Sequence, residues 1–344
     1  MNIPNTKRWL KEFVFEQKCL PWRVRVGALK IMGGLFYGKE LCNFQRIDFS
    51  NGQKFQDYIN FWETTKLFRD YSLSESAILE LRGYFGYERE EVLYLLERSQ
   101  KLLAEEWNKY FANYRKLSEE TINKFYNTTQ MEIFELMYWH YFKIKDGPLQ
   151  YTFALDIAQR YGFKNYLDYG SGIGTGGILF ALNNFNVSLA DVSSTNLEFC
   201  KYRFYKRNLK AQLIHLLTSQ KQLKGKEYEI ITCFDVLEHV MDPLYVLNIL
   251  KNVLRDNGIL IINMPFFNDD KRPMHIVKDC LIRNKIRSIG YSFDWHLMVE
   301  ARRNIRRPLF VLKKKNRNLF MNKLCFLCDN MFLSLKLSSL NYVT

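Results

Sequence analysis

The chain has 344 residues, room for about two domains and a sizeable core, and its 27 Phe and 21 Tyr exclude low-complexity disorder over most of its length. Seven scattered cysteines, an amino terminus without the apolar core of a secretory signal and the lack of an apolar run of spanning length argue against a disulfide scaffold or a bilayer-crossing chain, and favour reduced thiols in a cytoplasmic setting. The net charge of +14 leaves anionic partners open: a small molecule, a lipid surface or nucleic acid.

Residues 1–148 are predicted to form a mostly helical amino-terminal domain. Residues 22–37 mix basic and apolar side chains, but the Gly33-Gly34 pair weakens a membrane-surface helix and favours a hairpin or turn. Residues 88–111 carry Val92, Leu95, Leu96, Leu102, Leu103, Trp107 and Tyr110 at helical spacing, with Glu88, Glu90 and Glu91 early and Lys109 late, as the helix dipole favours. A second helix is predicted from the capping residue Ser118 to about Phe142, with Met131, Phe134, Tyr138 and Tyr141 on one face, broken at Asp146-Gly147-Pro148. The stripes read as helix–helix core, or as a lid over an acceptor pocket.

Residues 166–177, Tyr-Leu-Asp-Tyr-Gly-Ser-Gly-Ile-Gly-Thr-Gly-Gly, read as a short apolar strand, a glycine-crowded turn and the start of a helix. Such a turn brings backbone close to a nucleotide-type ligand and aims free helix N–H groups at it. Two parses compete: Gly172-x-Gly174-x-x-Gly177 fits the dinucleotide pattern, and Asp168-x-Gly170-x-Gly172-x-Gly174 fits an acid-plus-glycines pattern. Residues 187–191 form the next predicted strand, ending in Asp191, nineteen residues beyond Gly172, where a carboxylate accepts ribose hydroxyls of either cofactor. Residues 228–243 give a buried strand ending at Asp235, then Leu237-Glu238-His239, then Asp242-Pro243 as a helix start. A helix over 244–254, a stop at Asp256-Asn257-Gly258 and a central strand over 259–264 follow.

The acid-plus-glycines run resembles motif I of class I S-adenosylmethionine-dependent methyltransferases. The run from Phe234 to Pro243 resembles motif IV of the branch that includes the ubiquinone and menaquinone biosynthetic methyltransferases. The resemblance covers about residues 149–315. It implies an α/β fold, a doubly wound, mostly parallel seven-stranded sheet with an antiparallel carboxyl-terminal hairpin (Rossmann-like), with S-adenosyl-L-methionine held by Asp168, Gly170, Ser171, Gly172, Gly174, Asp191, Val192, Asp235 and Val236. After the third strand many relatives place an acid or amide at the adenine amine; here Thr218-Ser219-Gln220 stands there, and Gln220 is the candidate.

The implied activity is in-line methyl transfer to a small-molecule or lipid-precursor acceptor, with oxygen favoured. The alternatives are an RNA methyltransferase, an NAD-dependent oxidoreductase at the same glycines and a binding protein without turnover. A hydroxyl acceptor must lose a proton, which a neutral imidazole takes near neutral pH. His239, just past the fourth strand, and His275, after the fifth, are the candidate bases; His239 reads first as a residue that caps or orients the motif IV turn, and Glu238 as a hydrogen-bonding partner of the cofactor loop or of the imidazole. No metal site is expected: the five histidines form no ligand cluster in sequence, and Cys325-Phe-Leu-Cys328 lacks a second ligand pair.

Residues 301–320 hold Arg302, Arg303, Arg306, Arg307, Lys313, Lys314, Lys315 and Arg317 without an acid, around an apolar strand over 309–312. The resemblance makes 302–307 the turn of the edge hairpin. The charges read as a solvated edge, or as a site for an anionic acceptor, lipid or nucleic acid. The apolar tail over 316–344 is predicted to pack as a helix, with peripheral membrane contact as the other possibility.

Overall fold

In the computed structural model the described residues are 52–64, 68, 71–112, 114, 117–143, 148–223, 225–263, 272–277, 285–305 and 309–314. The expectations for residues 22–37, for Asp146-Gly147, for Arg306 and Arg307, for Cys325 and Cys328 and for the 316–344 tail lie outside them. The chain divides into two compact units, Met1–Asn51 and Gly52–Thr344, so the boundary expected at 148/149 falls inside the second unit.

The helices α1 (Gly52–Thr64), α2 (Leu73–Phe85), α3 (Arg89–Phe111), α4 (Glu119–Thr128), α5 (Met131–Tyr141) and α6 (Leu149–Arg160) precede the first strand. Local chemistry sets their ends: Ser72 caps α2 by accepting from Glu75 N, and Gly86 closes it in the left-handed region at φ 75°. The single helix expected over 118–142 is two. Thr129 ends the first, because its buried hydroxyl donates to Glu106 Oε2 (2.6 Å) and accepts from Met131 N (3.2 Å), so its side chain competes with the helical backbone and starts the next segment.

Then β1 (Asn165–Tyr169), α7 (Thr175–Leu182), β2 (Asn186–Asp191), α8 (Ser194–Lys206), β3 (Gln212–His215), α9 (Leu216–Ser219), β4 (Tyr228–Cys233), α10 (Pro243–Val253), β5 (Leu254–Ile262), β6 (Tyr291–Phe293), α11 (Trp295–Ile305) and β7 (Phe310–Lys314) build one seven-stranded sheet in the order β3-β2-β1-β4-β5-β7-β6. The strands from β3 through β5 pair in parallel, and β7 runs antiparallel to both β5 and β6. This is the doubly wound fold that the motifs imply.

Two expectations at the carboxyl end need correction. Residues 302–305 are not a hairpin turn: they end α11, which lies between β6 and β7, with Arg302 and Arg303 in its last turn, and β7 sits inside the sheet with Val311 and Leu312 fully buried. An amphipathic run that buries Leu297, Ala301 and Ile305 favours a helix over a turn there. The segment Asp256-Asn257-Gly258 does not stop α10; it lies within β5, where the register against β4 shifts between Tyr228 and Ile230.

Successive strand residues face opposite layers, and each face has its own core. Tyr166, Leu189, Ile230, Ile259 and Ile261 pack with α7 and with Trp62, Phe134, Met137 and Tyr141 of the leading helices. Leu167, Ala190, Ile231, Leu260 and Ile262 pack with Leu247 and Leu250 of α10. The leading helices thereby share a core with one face of the sheet, next to the edge where open α/β sheets bind ligands. No helix among the described residues is long and apolar enough to cross a membrane.

Candidate cofactor and acceptor site

The loop between β1 and α7 has Gly170, Gly172 and Gly174 at φ 70°, 50° and 70°, a conformation that L side chains rarely adopt. A Cβ at Gly170 would also collide with Val236, and one at Gly172 would lie 2.7 Å from Leu136 Cδ1. The chain's own α5 and motif IV turn therefore close on these glycines. Gly174 caps α7, and its N–H returns to Ser171 O at 2.8 Å.

Asp168 is fully buried and accepts from Thr232 Oγ1 at 2.8 Å, which ties β1 to β4 beneath the loop; burial pushes its carboxyl up to about 7. Asp191 ends β2 with Oδ2 on Gly172 N (2.7 Å) and Oδ1 on Ser193 N (2.8 Å), and burial pushes it up to about 6 against those two hydrogen bonds. Each of its oxygens keeps a further acceptor position for a ribose hydroxyl. Ser171 is 1% exposed, and its Oγ has no hydrogen-bond partner among the described residues, the kind of orphan a bound polar ligand satisfies. These residues fit a nucleoside cofactor.

Val192 packs with Tyr126 and Met274 at this edge. Gln220 begins a 3-10 turn there, half-buried. His215 Nε2 lies 2.9 Å from the Val192 carbonyl and 3.2 Å from Asn127 Oδ1. Asn127 Oδ1 also accepts from Ser194 N (3.0 Å), so α4 is pinned to the start of α8.

Asp235 and Val236 open the motif IV turn. Asp235 adopts φ 53° and is fixed by Asn263: Asp235 N donates to Asn263 Oδ1 (2.6 Å), and Asn263 Nδ2 donates to Asp235 Oδ1 (2.6 Å). The Glu238 carbonyl accepts from Ile276 N (2.9 Å) and Val277 N (3.1 Å), which folds the segment after β5 back onto the turn. That return sets the His239 and His275 rings edge to face with centroids 4.9 Å apart.

His239 is held by Tyr126 and by the Met274 backbone. Its Nδ1 lies 2.9 Å from Tyr126 Oη, and the ring also hydrogen-bonds the Met274 backbone. Burial, then the neighbouring His275 and Arg272, lower it to about 3, so the imidazole is neutral across the physiological range. Glu238 is fully buried, neither carboxyl oxygen has a hydrogen-bond partner among the described residues, and burial followed by the Asp235 charge raises it well above the ordinary carboxyl value.

The expectation that no ligand cluster exists is corrected here: Glu238, His239 and His275 offer three ligand atoms within 4.8 Å of one another. Sequence spacing hid this because His275 reaches the turn only through the backbone return at Ile276. A divalent cation would require an ionised Glu238.

Tyr126, Asn127 and His215 were missed from sequence, as were the α5 carboxylates Glu132 and Glu135. Each reaches the site from an element distant in the chain, without a motif to mark it. Arg203 is a further case: fully buried on α8, it holds Glu80, Tyr141 and the Ile173 carbonyl of the glycine loop.

A family profile described as a methyltransferase domain matches residues 136–307, half of the chain. A ubiquinone biosynthesis O-methyltransferase of Rickettsia prowazekii (strain Madrid E) is 32% identical over 98 residues, 28% of this chain and 38% of that protein. One from Haemophilus ducreyi (strain 35000HP / ATCC 700724) is 27% identical over 125 residues, 34% of this chain and 52% of that protein. The chain thus matches about half or less of the length of these curated relatives. An O-methyltransferase family protein from Burkholderia thailandensis, 11% identical, aligns with TM-score 0.47 over 65% of this chain and 72% of that one. With half of its length matched, and with motif I, Asp191 and the motif IV turn gathered at one sheet edge, the chain belongs to the methyltransferase-domain family, with S-adenosylmethionine as its cofactor.

Proposed function

We propose that this protein methylates a hydroxyl of a small-molecule or lipid-precursor acceptor, a quinone-type precursor being the acceptor class suggested by the names of its curated relatives. The observation that carries this reading is the Glu238–His239–His275 cluster beside Asp235, at the edge where the glycine loop and Asp191 would hold the cofactor. Bound there, the cofactor supplies an electrophilic methyl on a sulfonium. The chain's residues align the acceptor oxygen in line with it, exclude water and receive the hydroxyl proton. His275 is the proton acceptor. His239, locked by Tyr126 and Met274, orients it, and the glycine loop with Asp168, Gly170, Ser171, Gly172, Gly174, Val192, Gln220 and Val236 frames the cofactor.

The same cluster supports a second reading in which a divalent cation binds the acceptor oxygen and lowers its pKa. Nucleic acid is a weaker match to the basic carboxyl-terminal segment, since Lys313 pairs with Asp294 (2.9 Å) and Lys314 with Asp256 (3.1 Å). The test is transfer of labelled methyl from S-adenosylmethionine to a panel of phenols and catechols, with and without prenyl tails, and to RNA, each with EDTA or added Mg2+. Label on a hydroxyl acceptor supports the proposal. Label on RNA alone would sink it, and loss of transfer in EDTA restored by Mg2+ selects the metal reading.

A further inference from the structure

One face of α5 lies across the glycine loop. On it, Leu136 closes on Gly172, His140 Nδ1 lies 3.0 Å from Thr175 Oγ1, and Glu132 accepts from Asn196 Nδ2 at 2.9 Å. Positions 132, 135, 136, 139 and 140 share this face at the i, i+3 and i+4 spacing of a helix. Glu135 therefore stands one turn beyond Glu132, about 4.5 Å further along the axis.

The surroundings of the two carboxylates place them toward the two strands that flank β1, Glu132 toward β2 and Glu135 toward β4. Glu132 lies in the field of Asp191, at the end of β2, and of Glu135. Glu135 lies in the field of Asp235, past β4, and of Arg272 from the segment after β5, and it accepts from Trp139 on its own helix. Arg272 in turn stacks over the Trp139 ring at 5.0 Å. A cofactor held by Asp191 and the glycine loop at the carboxyl ends of the strands would lie over β1, between these two groups of neighbours.

S-Adenosylmethionine carries a sulfonium charge that S-adenosylhomocysteine lacks, and the two ligands are otherwise nearly the same. A carboxylate in an enclosed site distinguishes them by charge, because a fixed anion attracts a desolvated cation and gains nothing from a neutral thioether. We infer that Glu135, with Glu132 behind it, is a specificity-determining residue that recognises the sulfonium charge, so that α5 favours the donor over the spent product. This rests on the cofactor assignment and deepens it. Burial holds Glu135 up at about 7 and Glu132 at about 8, so the bound cation shifts both toward the ionised form and its binding strengthens as pH rises.

Calorimetric titrations of the full chain with S-adenosylmethionine and S-adenosylhomocysteine test this, on wild type, Glu135→Gln, Glu132→Gln and Glu135→Asp, at pH 6 and pH 8.5. Glu135→Gln should weaken the sulfonium ligand about tenfold and its neutral product less than about twofold, with Glu135→Asp recovering part of the difference. The wild-type preference for the sulfonium ligand should widen from pH 6 to pH 8.5, a readout that needs no variant to fold. Equal weakening of both ligands, or a preference that neither the variants nor pH moves, overturns the inference. Binding of neither ligand by wild type overturns the cofactor assignment itself.

Discussion

Asp191 and Gly172 are joined by a 2.7 Å hydrogen bond from the glycine's N–H to Oδ2, while the other oxygen of the same carboxylate holds Ser193 N at 2.8 Å. One side chain thus fixes the glycine loop after β1 to the turn after β2, and its remaining acceptor positions are those a ribose would use. Asp191→Ala leaves two backbone donors without partners, at roughly 1–3 kcal/mol each where water cannot reach them. The expected result is at least a tenfold loss of S-adenosylmethionine affinity together with a lower urea midpoint. Asp191→Asn retains one acceptor oxygen and should lose less of both. Unchanged affinity in Asp191→Ala would remove it from the cofactor site.

The glycine loop is also held from beneath. Arg203 and Glu80 are both fully buried, with Arg203 Nε 3.2 Å from Glu80 Oε1, and the guanidinium also reaches Tyr141 and the Ile173 carbonyl. Removing one member of a buried pair costs about 3–5 kcal/mol, because the remaining charge has lost its compensation. Arg207 also pairs with Glu80, so Arg203→Met should fall toward the low end of that range in urea unfolding. Glu80→Gln, which takes the carboxylate from both Arg203 and Arg207, should cost more than Arg203→Met. An Arg203→Met protein as stable as wild type would show that the cluster does not hold the loop.

The histidine pair separates binding from chemistry. His275→Ala should keep cofactor affinity within about twofold and reduce kcat by about 100-fold or more, the range for removal of a general base. His239→Ala should act through His275 and Glu238, and Tyr126→Phe, which removes the oxygen 2.9 Å from His239 Nδ1, should give a smaller loss in the same direction. Normal turnover in both His239→Ala and His275→Ala would end the acid–base proposal.

The parts of the fold legible in the sequence were those encoded locally. The strand-loop-helix from Tyr166 to Leu182 and the capped start of α10, where Asp242 accepts from Leu244 N and Tyr245 N, carry their own signals in glycine, proline and capping residues. The break at Thr129 was not legible, because it depends on Glu106, 23 residues earlier in the chain. Nor was the fold of residues 301–305, where basic side chains masked a helix that buries Ala301 and Ile305. In the site, Asp191 could be found by its distance from the glycines, whereas Glu132 and Glu135 resemble the solvated face of a helix until α5 is laid over Gly172. His275 belongs with His239 only because Ile276 and Val277 return to the Glu238 carbonyl.

The carboxylates along this edge also set how the free protein responds to pH. Burial raises Asp191 to about 6 and Glu132 to about 8, Glu132 also repelled by Asp191 and Glu135, against unfolded values of about 3.9 and 4.3. A raised acid favours the folded state while it is protonated. Its contribution is fully present below the unfolded pKa and is lost as pH climbs through the folded one. The ligand-free protein should therefore lose melting temperature between about pH 4 and pH 8, with Glu132, Glu135 and Asp168 continuing the decline above the range of Asp191. Glu132→Gln should make the decline shallower up to about pH 8 and leave in place the part due to Asp191, Asp168 and Glu135. Thermal melts of wild type and Glu132→Gln in half-unit pH steps check this, and two curves parallel from pH 6 to pH 8.5 would show that Glu132 is not held in its uncharged form.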